Sequence, residues 1–130
     1  MREQIITRDI IANPKSKYGD AKASTRHFIV QRTTGAINIA FLILLLYVVM
    51  KLAGADRADM VAAIGNGWIG IPLAILLAIA TVHMRNGMRD VLEDYFAGRV
   101  YSLLMMLNTA FCLLIAAVGV LSILKLVLWG

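Results

Sequence analysis

Acidic residues, proline and cysteine are scarce in this chain: 130 residues hold eight Asp and Glu together, two Pro and one Cys. A single cysteine, Cys112, rules out a disulfide within the chain. It also rules out a thiol set for zinc or an iron–sulfur centre. Cys112 lies among Phe111, Leu113 and Leu114 and reads as a packed apolar thiol. No glycine-rich nucleotide fingerprint is present, so flavin and dinucleotide chemistry belong elsewhere. No Asp or Glu falls within 33–50, 60–84 or 100–124. That absence argues against a small multidrug transporter, which needs a carboxylate embedded in the membrane.

Apolar residues are abundant instead. The chain is 60% hydrophobic and 16% charged, whereas soluble domains sit near ~45–50% and ~25%. The three uncharged runs are each long enough, at ~1.5 Å per residue, to cross a hydrocarbon core of ~30 Å. The expected fold is an all-α membrane protein with three spans, at about 33–53, 67–92 and 100–126. Gly65, Asn66 and Gly67 predict a turn that shortens the second span, with Trp68 at the interface and Pro72 in the first helical turns. Ala110, Ala116, Ala117 and Gly119 would let a helix approach closely, either within this chain or from a partner.

Residues 1–31 form a cationic segment ahead of the membrane domain at 32–130. Through Arg32 the cations are Arg2, Arg8, Lys15, Lys17, Lys22, Arg26 and Arg32, against Glu3, Asp9 and Asp20. No apolar core stands near the start as a secretory signal requires. Little aromatic interleaving accompanies the cations, so they point to lipid or protein rather than nucleic acid. The connection between the second and third spans adds Arg89 and Arg99 on the same side. On the other side Lys51 and Arg57 are offset by Asp56 and Asp59, with Lys125 near the chain's end. This asymmetry predicts a cytoplasmic amino terminus and a periplasmic carboxyl terminus.

The chemistry concentrates in the second span. His83 and Asp94 lie eleven residues apart, within about 20° of one helix face at ~100° per residue, and Gly87, four residues after His83, is also on that face. An imidazole at membrane depth suggests a function. A glycine one turn away leaves room for something flat, such as a porphyrin, against the backbone. Tyr95 turns about 100° further and addresses a neighbouring site. Each residue also has an ordinary use. His83 could bond across helices, Gly87 could serve packing, and Tyr95 could be an interfacial anchor. Asp94 and Glu93 could end a solvated helix. Arg85 either snorkels toward headgroups or pairs with an acid such as a haem propionate.

His83, Gly87, Val91, Asp94 and Tyr95 together resemble the smaller, D-type hydrophobic anchor subunit of succinate dehydrogenase. That family has a histidine, then glycine, valine and Asp-Tyr at these spacings. The run Arg26-His27-Phe28-Ile29-Val30-Gln31-Arg32-Thr33 is similar to its entry into the first span. The resemblance covers residues 24–129 and implies a respiratory anchor subunit in a bacterial inner membrane, less readily a mitochondrial one. It implies that His83 is an axial ligand of haem b and that Tyr95 hydrogen-bonds ubiquinone. Asp94 would support the quinone site, and Arg32, with His27, would lie near the haem propionates or the quinone. With one histidine at membrane depth, the second ligand would come from a partner anchor, making this chain half of a two-subunit bundle. Flavoprotein and iron–sulfur subunits would carry out the dehydrogenation, leaving no catalytic residue here. A fumarate reductase anchor shares this architecture and is the nearest alternative.

Overall fold

The computed structural model describes residues 21–130. Four helices follow one another: α1 (Ala21–Leu52), α2 (Arg57–Gly65), α3 (Gly67–Tyr95) and α4 (Gly98–Trp129). Among the described residues three helices are long and apolar enough to span a bilayer, covering Ala23–Leu52, Gly67–Tyr95 and Gly98–Trp129.

The first helix begins well before the expected start of its span at residue 33. Charge ends near Arg32, but charge does not stop a helix. From Ala21 to Arg32 no Gly or Pro occurs, so the backbone stays helical into the polar region. The boundary expected between 31 and 32 is therefore not a break in the backbone. Residues 1–20 of the cationic segment lie outside the described residues.

A second departure is α2, which occupies the front of the uncharged run at 60–84. Asp56 caps it, accepting a hydrogen bond from the Asp59 amide at 2.9 Å. The turn expected at Gly65–Gly67 is present, and Asn66 serves both helices. Its amide donates to Ala62 O at 3.1 Å, and its side chain accepts from the Trp68 amide at 2.9 Å. Trp68 is exposed, and Pro72 lies inside α3 near its start. The short links at the other turns use Gly54 and Gly98, both with positive φ.

Helix α3 is the central element. It is the most buried of the three long helices, α1 and α4 being largely exposed. It packs against both, burying Leu73, Ala74, Thr81, Asn86 and Leu92. Outer faces of α1 and α4 expose rows of Leu, Ile, Val and Met, as a lipid-facing or partner-facing surface requires. Within the chain, Gly119 packs on Leu77, while Ala110 and Ala117 remain exposed. Gly119 thus serves packing within this chain. Cys112 is 3% exposed, its thiol 3.6 Å from Asn108 Oδ1.

Gly70 marks the closest approach. A Cβ there would collide with the Ile64 carbonyl and Val127 Cγ2, whereas one at Gly67 would meet only Ile71 Cδ1, at 3.7 Å. Gly70→Ala is expected to cost about 1–3 kcal/mol by overpacking. It should lower the thermal unfolding midpoint of the detergent-solubilised protein, while Gly67→Ala leaves it close to wild type.

Candidate functional site

One face of α3 carries His83, Gly87, Asp90 and Asp94, at steps of four, three and four residues. Across from it, α1 presents His27, Gln31 and Thr34–Gly35 with the same periodicity. The two stripes meet. His27 Nε2 lies 2.7 Å from Asp90 Oδ1, and Thr34 Oγ1 lies 3.1 Å from His83 Nδ1. Between these contacts the Gln31 side chain passes over Gly87, where an added Cβ would come within 3.1 Å of Gln31 Nε2. Beside His83 the backbone of α1 is Gly35, at which a Cβ would sit 3.2 Å from His83 Cε1. Both glycines let the helices approach with polar side chains between them.

An open groove of about 410 Å³ runs along this seam, lined by His27, Phe28, Gln31, Arg32, Gly35 and His83, with Asp90 at its edge. Arg32 stacks on Phe28, its guanidinium carbon 5.0 Å from the ring centroid. Gln31 Oε1 is buried with no hydrogen-bond partner among the described residues, as is Asn38 Oδ1 about two turns further along α1. Burying an acceptor without a donor is costly in lipid. The seam therefore has unused capacity to bind a polar group.

Three of the residues singled out from sequence, His83, His27 and Arg32, converge on this groove. Asp94 and Tyr95 do not line it. Both are exposed at the end of α3, Tyr95 by 78%. Glu93, by contrast, is engaged. It accepts from Arg89 Nε at 2.6 Å and from Tyr101 OH at 3.0 Å, which ties the ends of α3 and α4 together. Of the two adjacent carboxylates, Asp94 is the one left open.

Arg85 is half-buried and meets neutral side chains of this chain. Its Nε donates to Thr109 Oγ1 at 3.1 Å, and Nη1 lies 3.4 Å from Asn86 Oδ1. Two residues along a helix is about 200°, so Arg85 faces α4, away from His83. The Asn108 amide donates to the Arg85 carbonyl at 3.0 Å and completes this second polar seam.

Asp90, Gln31, Thr34 and Gly35 were not singled out in the sequence. Asp90 had a signal, since it falls seven residues after His83 on the same stripe. Thr34 and Gly35 had none, because only the packing of α1 on α3 brings them to the imidazole.

No three His, Cys, Asp or Glu side chains among the described residues converge to hold a bare metal ion. A lone imidazole beside a groove suits a metal whose other ligands arrive with it, as in a macrocycle. An imidazole beside an open groove, with the Arg32 guanidinium near it, is a donor set that a haem would fit, whereas the space expected at Gly87 is taken by Gln31.

Three apolar helices joined by two polar seams define a multi-pass membrane protein whose exposed faces suit a larger assembly. A family model described as succinate dehydrogenase/fumarate reductase transmembrane subunit matches residues 8–123. The chain belongs to that family and is a transmembrane anchor subunit. The match begins at residue 8, so the counterpart that sequence reading started at residue 24 extends further toward the amino terminus. No curated protein and no solved structure gives a significant match.

The His27–Asp90 contact should hold α1 on α3. A double-mutant cycle with His27→Ala and Asp90→Ala is expected to give a coupling energy of about 1 kcal/mol in thermal or denaturant unfolding. Additive effects would show that the pair contributes nothing.

Proposed function

We propose that this chain is the smaller anchor of a succinate:quinone oxidoreductase and attaches flavoprotein and iron–sulfur subunits to a bacterial inner membrane. In this reading it holds haem b through His83 and helps form a ubiquinone-reduction site. One observation carries it: His83 is half-buried at a groove shared with His27 and Arg32, with Nδ1 engaged and Nε2 free of partners among the described residues.

Haem b supplies one-electron carriage and, with two axial imidazoles, does not activate oxygen. His83 would bind the iron. Arg32 would neutralise propionate charge at the outer end of the groove. His27 is already paired with Asp90 through Nε2, which favours a second axial histidine on a partner anchor. The apolar outer faces of α1 and α4 suit such a three-helix neighbour. The excess of cations on the amino-terminal side supports a cytoplasmic amino terminus and a periplasmic carboxyl terminus.

Tyr95 would donate its hydroxyl proton to a quinone carbonyl oxygen, stabilising the negative charge that develops there. Asp94, exposed one residue before it, would shape that site and pair with an arginine of the partner. The site would lie beyond the His83 groove, between this chain and its neighbours, because Tyr95 does not line the groove. A fumarate reductase anchor is the second reading, favoured by a family description that covers both enzymes. The small multidrug transporter has no support, since the carboxylates of α3 cluster at its end.

His83→Ala should remove the low-spin b-type absorbance of the purified complex or convert it to high spin; an unchanged spectrum refutes the ligand role. Tyr95→Phe should lower quinone reduction by about tenfold or more while succinate oxidation with a soluble artificial acceptor persists. Equal loss of both activities would remove Tyr95 from the quinone site.

A further inference from the structure

The Thr34 hydroxyl sits between two kinds of partner. Its Oγ1 lies 2.7 Å from Val30 O and 3.2 Å from Gln31 O, both on its own helix, and 3.1 Å from His83 Nδ1. A hydroxyl has one proton and two lone pairs. Carbonyl oxygens only accept, and the shortest contact is to Val30 O, so the proton goes to the α1 backbone. A lone pair remains for His83, and Nδ1 must therefore be the donor. The neutral imidazole then carries its proton on Nδ1 and a free lone pair on Nε2.

Gly35 completes the grip. Its missing side chain lets the ring edge at Cε1 rest against the α1 backbone. Flipping the imidazole would put carbon where Nδ1 stands. The N–H would then lose its acceptor in apolar surroundings, where unpaired donors are disfavoured.

We propose that Thr34 is a positioning residue for the metal ligand. It selects the Nδ1–H tautomer of His83, aims Nε2 at the groove and, as a weak neutral acceptor, sets how strongly the imidazole donates to iron. This inference rests on the haem reading above and deepens it. The partner of a ligating histidine's second nitrogen controls ligand basicity. A neutral hydroxyl pulls less on the N–H than a carboxylate does, leaving the imidazole a moderate donor and the reduced iron comparatively favoured.

The test uses the whole complex carrying Thr34→Val, Thr34→Ala or Thr34→Ser, with haem content, optical spectrum and a redox titration as readouts. Without the hydroxyl, Nδ1–H loses its acceptor and the imidazole donates less. The Val and Ala variants are expected to show a positive shift of the haem midpoint potential, or partial loss of haem. Thr34→Ser keeps the hydroxyl and should match wild type in both. Haem with the same potential and content in all four proteins overturns the role of Thr34 and leaves the anchor reading intact. Equal loss in all three variants also overturns it, because packing alone would then account for the effect. Absence of haem from the wild-type complex overturns this inference together with the ligand role of His83.

Discussion

Hydrocarbon offers no hydrogen bonds, so polar side chains on a spanning helix must be answered by another part of the protein. In this chain that constraint organises both faces of α3. Toward α1 it produces the contacts His27–Asp90 and Thr34–His83. Toward α4 it produces Arg85–Thr109, the Asn108 contact with the Arg85 carbonyl, and the thiol of Cys112 on Asn108. Apolar packing brings the helices together, and these bonds add to it in fixing rotation and register.

The two seams are not equivalent. The α3–α4 seam is largely satisfied within the chain, and Arg85 finds neutral oxygens at its own depth. The α1–α3 seam is not. Gln31 Oε1 and Asn38 Oδ1 are buried without partners among the described residues, and a groove opens beside His83. Incomplete satisfaction on one side of a small bundle fits a subunit whose remaining partners belong to a larger assembly. Sparse burial of α1 and α4 agrees with this. Membership of the succinate dehydrogenase/fumarate reductase transmembrane subunits supplies the setting.

Much of the candidate site was legible because helical periodicity is local. His83, Gly87 and Asp94 share a face by spacing alone, and Asp90 belonged to the same stripe. Pairing across helices was not legible. The Arg89–Glu93 pair follows the local i, i+4 spacing, but the Tyr101 hydroxyl that also donates to Glu93 reaches it only because of where α4 begins. The contact of Arg85 with Thr109 was not legible for a related reason, since it depends on how α4 packs against α3.

Composition and the absence of charge from three long runs determined, without further information, that this protein crosses a membrane three times. Spacing determined that an imidazole, a glycine and a carboxylate share one side of the middle helix. Tertiary structure decided what that side faces: Thr34 and Gly35 against the imidazole, and His27 against Asp90. Turns along one helix follow from a fixed repeat of about 3.6 residues. The mutual rotation of two helices 49 residues apart in sequence, at Thr34 and His83, depends on the packing of every side chain between them.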